Sequence, residues 1–106
     1  MWARIWGIEK ATKYLNDGLK LERDQGNRRK IARCHHLIGL AMEAQARLSK
    51  RAGNTQSACK RFHEALDHLE KAQELYEEVG ADRRLYNRMR DLMRVRKAWD
   101  ECQSSL

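Results

Sequence analysis

The chain contains an internal repeat. Residues 5–29 return, 54 positions later, as residues 59–84, with one extra residue inserted in the second copy. The first copy has small or apolar residues at Ile5, Ile8, Ala11, Leu15, Gly18, Leu21 and Gly26, and the second has equivalents at Cys59, Phe62, Ala65, Leu69, Ala72, Leu75 and Gly80. Duplicated units with an apolar face are typical of stacked helical hairpins, because one unit alone leaves that face unburied.

The composition favours helix along the whole chain. The 106 residues include no proline, 35% are charged, and good helix formers dominate. We therefore expect residues 1–106 to form a single all-α domain. No apolar run approaches the ~20 residues that a bilayer requires, and the first residues lack the pattern of a signal peptide. We expect a cytoplasmic or nuclear protein that binds no membrane.

The cysteines form an odd set without the spacing of a disulfide framework. They are Cys34, Cys59 and Cys102. This pattern, in a chain expected to be intracellular, predicts reduced thiols.

Three glycines spaced 27 residues apart, Gly26, Gly53 and Gly80, divide the chain into segments with helical periodicity. Glycine supplies the left-handed conformation that ends many helices, and polar residues after each one can cap the next helix, namely Asn27, Asn54 and Asp82. The pattern predicts helices at about 3–24, 28–51, 55–79 and 82–101. The short turns make neighbouring helices antiparallel.

Apolar residues follow helical spacing in the last three predicted helices. The second has two apolar lines, so we expect neighbours on both of its sides; the lines run through Ile31, Cys34, Ile38, Met42 and Leu48, and through Leu37, Leu40 and Ala44. The third buries a line from Cys59 to Val79. Three methionines fall on apolar positions and are predicted to fill the core, namely Met42, Met89 and Met93.

The charge is unevenly distributed. The formal net charge is +7, and seven of the basic residues lie between Arg83 and Lys97. The preceding segment, 64–78, is mainly acidic. The two segments can be antiparallel neighbours with complementary faces. Alternatively, the arginine-rich fourth helix forms a basic surface for nucleic acid or for an acidic protein.

Residues 64–75 resemble the second helix of a tetratricopeptide repeat, in which small residues lie seven apart with a large apolar residue between them. These residues are Ala65, Leu69 and Ala72, and the first predicted helix matches them with Ala11, Leu15 and Gly18. Residues 26–40, through Arg28-Arg29, Ala32-Arg33 and Leu37-Ile38-Gly39-Leu40, resemble the first helix of longer-repeat members such as cell-polarity scaffolds, rapsyn and kinesin light chains.

This resemblance implies a fold and a binding surface. The fold is a solenoid fragment of four long helices, although a closed four-helix bundle is the alternative. In the family, first helices line a concave groove that holds a peptide or a helix. Transferred to this chain, the groove positions are Arg33, His36, Leu40, Glu43, Arg88, Asp91 and Val95. This set implies a partner with acidic and apolar residues.

The fourth helix departs from the family pattern. Arg90 and Arg94 occupy the positions that match His35 and Gly39 in the second helix. The last unit is therefore either a polar terminal cap or a diverged repeat.

The tryptophans lie near the two ends of the chain. A closed bundle would bury Trp2, Trp6 and Trp99 together, whereas an open solenoid would expose them for self-association. Two hairpins are fewer than the three or so repeats that usually stabilise a solenoid. We therefore expect either a fragment of a longer array or a chain that forms a homodimer.

Chemistry is not indicated by the sequence. Cys34, His35 and His36 lie more than two helical turns from Cys59 and His63 in the expected hairpin, which is too far for a shared zinc ion. His68 is expected to approach His35 across the same hairpin. No nucleophile–base arrangement or phosphate-binding loop is present. We expect a non-enzymatic protein-interaction scaffold with no metal and no cofactor.

Overall fold

The fold is seen in a computed structural model, which describes Lys13 and residues 25–80 and 82–106. These ranges contain three helices and no strand: α1 (Gln25–Arg51), α2 (Thr55–Glu78) and α3 (Asp82–Ser104). The all-α prediction is confirmed, and the predicted bounds of these helices agree to within three residues. Apart from the helical Lys13, the predicted first helix at 3–24 lies outside the described residues. None of α1–α3 has the length and apolar character of a membrane-spanning helix.

The turn between α1 and α2 forms for the predicted reason. Gly53 has a φ of 81°, and its N–H donates to the carbonyl of Lys50 while that of Asn54 donates to Ser49. This pair of hydrogen bonds is the Schellman pattern, which requires a left-handed residue. The Asn54 side chain then accepts from the Ser57 N–H at 3.3 Å and caps α2. Gly80 (φ 69°) ends α2 in the same conformation.

Gly26 does not end a helix, contrary to the sequence prediction. Gly26 and Asn27 both lie inside the first turn of α1, which begins at Gln25. Equal spacing therefore identified two of the three turns.

The core lies on both sides of α2, which packs antiparallel against α1 and against α3. Its buried residues are those of the predicted line, namely Ala58, Cys59, Phe62, Ala65, Leu66, Leu69, Ala72 and Tyr76. Gly39 of α1 lies so close to α2 that a Cβ atom there would be 2.8 Å from Cγ of Leu69. The absence of a side chain at Gly39 thus permits this close approach of α1 to α2.

Two of the cysteines form a disulfide, so the prediction of reduced thiols is wrong. Cys59 near the start of α2 is bonded to Cys102 near the end of α3, with the Cα atoms 5.6 Å apart. Only the fold brings these two residues together, since 43 positions separate them in the chain. Cys34 is the free cysteine of the described residues. A disulfide is more typical of oxidising compartments than of the cytoplasm.

Several residues predicted to be buried lie at the surface. Met89 and Met93 are 41% and 66% exposed, so they do not fill the core, whereas Met42 does pack against it. Leu37 and Leu48 of α1 are 42% and 63% exposed. The methionine positions were assigned from spacing alone, and spacing does not reveal which side of α3 faces α2.

Candidate functional site

Some of the residues predicted to line a concave groove lie where α1 faces α3, namely His36, Glu43 and Asp91. Arg94 donates through Nε and Nη2 to the two carboxylate oxygens of Glu43, both at 2.8 Å. Arg47, one turn along α1, donates to the same carboxylate at 3.0 Å. Glu43 is only 6% exposed. Burial alone raises its pKa, but the hydrogen bonds from Arg94 and Arg47 outweigh burial and lower the pKa.

A second contact extends this network along the same pair of helices. His36 Nε2 lies 3.1 Å from an Asp91 carboxylate oxygen, and the other Asp91 oxygen accepts a hydrogen bond from Arg94 at 2.7 Å. The hydrogen bond to Glu43, followed by that to Asp91, raises the pKa of Arg94 above its ordinary value. Four charged or polar side chains, His36, Glu43, Asp91 and Arg94, therefore join α1 to α3.

This arrangement changes the role of several predicted partner-binding residues. Glu43 is buried in its ion pair, and Val95 has no exposed surface, so neither is accessible to a partner. His36 and Asp91 contact one another. These residues hold α3 against α1, and the accessible remainder of the predicted groove is smaller than expected.

The other predicted residues are more scattered. Arg33 is exposed on α1 and Leu40 is partly buried, while the side chain of Arg88 lies outside the described residues. Trp99 is partly buried against the core, and its ring lies 5.1 Å from that of His63 between centroids. Trp2 and Trp6 lie outside the described residues, so the predicted self-association surface stays a prediction.

A groove lies between α2 and α3, and none of the four side chains that join α1 to α3 lines it. This groove has a volume of about 330 Å³. Its α2 wall consists of Glu70, Gln73, Glu74 and Glu77, and its α3 wall consists of Met89, Leu92, Met93 and Arg96. We call this feature the α2–α3 groove. It combines an apolar floor, formed largely by exposed methionines, with a mainly acidic wall.

The acidic wall is only partly neutralised from within. Arg96 donates to Glu70 at 3.0 Å across the groove. The Gln73 amide donates to Glu77 at 3.2 Å, but its oxygen is buried and accepts no hydrogen bond from the described residues. Buried acceptors are normally satisfied. The α2 wall therefore presents negative charge, whereas the Gln73 oxygen is not accessible to a partner.

Sequence reasoning missed this groove, although a signal was present. Glu70, Glu74 and Glu77 recur at intervals of four and three residues, which places them on one face of α2. The facing segment of α3, from Asp82 to Lys97, contains no glycine or alanine. This segment therefore does not predict the close contact that Gly39 permits between α1 and α2.

Two histidines meet on the opposite side of α2, as the sequence predicted. The Nδ1 atoms of His35 and His68 are 2.9 Å apart. Burial, then the charges of His68 and Lys71, lower the pKa of His35 to about 4. The pKa of His68 is also lowered, chiefly by burial, although Asp67 and Glu64 act in the opposite direction. Among the described residues, no cluster of three or more metal-binding side chains occurs.

Comparison of the chain with models of known protein families, with curated proteins and with solved structures finds no match. The likeness to tetratricopeptide repeats therefore stays a prediction based on the residues that suggested it. The prediction that the hairpins stack as a solenoid also stays a prediction.

Proposed function

We propose that this chain is a non-catalytic helical module that binds an amphipathic helix of another protein, and that the helix lies in the α2–α3 groove. The observation that supports this most directly is the exposure of Met89 and Met93 beside the glutamates of α2. Methionine is over-represented at surfaces that bind helices, because its flexible side chain adapts to a partner's apolar face.

The charge of the groove determines the kind of partner. A wall with exposed carboxylates favours a helix that supplies hydrogen-bond donors and positive charge. Lysine or arginine beside an apolar stripe satisfies both requirements. The proposed partner is therefore basic and apolar, whereas the sequence alone suggested an acidic and apolar one on the basis of Arg33 and Arg88.

The alternative function, nucleic-acid binding through the arginines of α3, has less support. Arg94 is bound to Glu43 and Asp91, and Arg96 is bound to Glu70. Arginines held in ion pairs contribute less to phosphate binding, because those pairs must break first. The complementary faces of α2 and α3 are the simpler explanation of the charge pattern.

The groove can be tested by selecting helical peptides from a displayed library against the full chain. We expect the selected peptides to share an apolar stripe at helical spacing with lysine or arginine beside it, and their affinity to fall as salt rises. Met93→Lys should abolish binding, because it places a positive charge in the apolar floor. Selected peptides that are acidic, or that bind Met93→Lys normally, would exclude the α2–α3 groove.

A matched control is available on α1. Leu48 is 63% exposed, close to the 66% of Met93, but it lies outside the groove. Leu48→Lys therefore removes a similar apolar surface and adds the same charge elsewhere. It should leave peptide affinity unchanged, and light scattering of both variants shows whether self-association has altered the result.

A further inference from the structure

The side of α1 that faces away from α2 carries an apolar stripe. Its residues recur at helical spacing, namely Leu37, Ala41, Ala44 and Leu48. Leu37 and Leu48 are 42% and 63% exposed, and Ala44 is also exposed. Gly39, which lies against α2, is two positions from Leu37 and therefore about 200° around the helix. The stripe thus points away from α2, and we call it the α1 outer face.

The charge beside the α1 outer face is positive. α1 contains seven basic residues, whereas its single acidic residue, Glu43, is buried in its ion pair with α3. Lys30 and Arg51 continue the stripe at its two ends by steps of seven residues, and both are exposed. Neither forms an ion pair with another described residue. The α1 outer face therefore combines exposed leucines with cations that are available to a partner.

This chemistry complements that of the α2–α3 groove, where exposed methionines lie beside the exposed carboxylates of Glu74 and Glu77. We propose that the helix bound in the α2–α3 groove is α1 of a second copy of this chain, so that the copies associate head to tail. This inference rests on the proposed function and adds the identity of the partner. Leucines of one copy meet methionines of the other, and Lys30 or Arg51 meets the glutamates, so the contact is complementary in both apolar surface and charge.

The contact joins two different surfaces, because residues of α2 and α3 line the groove, whereas the outer face belongs to α1. An assembly built from such heterologous contacts keeps one empty groove and one uncovered outer face at its ends, so it grows beyond a dimer unless a ring closes. Pairing of two α1 outer faces with one another would instead stop at a dimer. The size of the assembly therefore distinguishes the two arrangements.

Light scattering of the full chain across a range of concentrations tests the proposal, and the mean mass should rise above that of a dimer. Met93→Lys alters the groove and keeps the outer face, whereas the double variant Leu37→Glu, Leu48→Glu alters the outer face and keeps the groove. Each should self-associate at least about tenfold more weakly than the unaltered chain. An equal mixture of the two should form a dimer that does not grow, because it contains one intact groove for each intact outer face.

Leu106→Glu is the matched control, because it makes the same change at a leucine that is 73% exposed and outside both surfaces. It should associate as the unaltered chain does, and circular dichroism shows whether each variant keeps its helices. The proposal is overturned if the unaltered chain stays monomeric, as it would with another segment of the same chain in the groove.

It is also overturned if folded Met93→Lys associates normally, or if the mixed variants form no dimer. In each of these cases, a groove that still binds the selected peptides keeps the proposed function and excludes only the second copy as its partner. Failure of peptide binding as well would remove both proposals.

Discussion

The two neighbours of α2 pack against it in different ways. On the α1 side, Gly39 lies so close to Leu69 that no side chain fits between them. On the α3 side, the Cys59–Cys102 disulfide joins the two helices, and the α2–α3 groove, lined by Met89 and Met93, lies nearer the start of α3. One interface thus contains a close contact at a glycine, whereas the other combines a covalent link with a groove.

The placement of small residues explains this difference. Alanines without exposed surface occur on both α1 and α2, for example Ala32 and Ala72. In α3 the first small residue is Ala98, which packs against the core near Trp99. Helical periodicity thus predicts that two helices pair, whereas glycine and alanine determine how closely they pair.

The largest effect should come from removing the disulfide that joins α2 to α3. In the double variant Cys59→Ala, Cys102→Ala, the free energy of unfolding should fall by about 4 kcal/mol, because the disulfide spans 43 positions and long loops lose the most entropy on closure. Urea unfolding followed by circular dichroism measures the loss.

The control for this prediction is Cys34→Ala, since Cys34 is outside the disulfide. A reducing agent should lower the urea midpoint of Cys34→Ala by the same amount as that of the unaltered chain. If the double variant and the unaltered chain unfold at the same urea concentration, the disulfide does not hold α2 and α3 together.

A smaller effect should follow from a change in the α1–α2 interface. Gly39→Leu forces a side chain against Leu69, and overpacking of this kind costs about 1–3 kcal/mol. Ala44→Leu, at an exposed position of α1, is the control and should cost little. The combined variant Gly39→Leu, Leu69→Ala should recover part of the loss, because the second change makes room for the first. Additive losses in the double-mutant cycle would contradict the contact.

The sequence predicted the parts of the fold that depend on local signals. The turn at Gly53 and the cap at Asn54 are set by residues within a few positions of one another, and both are confirmed. The approach of His68 to His35 also follows, because a short turn fixes the register of two antiparallel helices. The prediction that Gly26 ends a helix is wrong, because Gly26 lies inside α1.

The candidate site was less predictable because it depends on how α3 is rotated. Arg94 occupies the position equivalent to Gly39, and it binds Glu43 on α1. The resemblance indicates which positions are equivalent. It does not predict which contacts form when an arginine replaces a glycine at one of them. The disulfide was not predicted for a related reason. No spacing rule identifies two cysteines that only the tertiary fold brings together.

The smallest expected effect is a dependence of stability on pH. It concerns the α1–α2 interface, where His35 and His68 are ionisable. Burial and neighbouring charges lower the pKa of His35 from its ordinary 6.5 to about 4. The unfolded chain therefore takes up a proton below pH 6.5, whereas the folded chain does so only near pH 4, so stability falls as the pH falls between these values.

At this partly buried site we expect a loss of about 1 kcal/mol after allowance for solvent screening. Urea unfolding should show this loss in the unaltered chain and in the control His63→Asn, which changes an exposed histidine of α2 outside the pair, but a smaller one in His35→Asn. The comparison between variants cancels the protonation of carboxylates such as Glu43, whose lowered pKa affects stability at lower pH. An equal loss in all three proteins would show that the histidine pair does not make the first interface pH-sensitive.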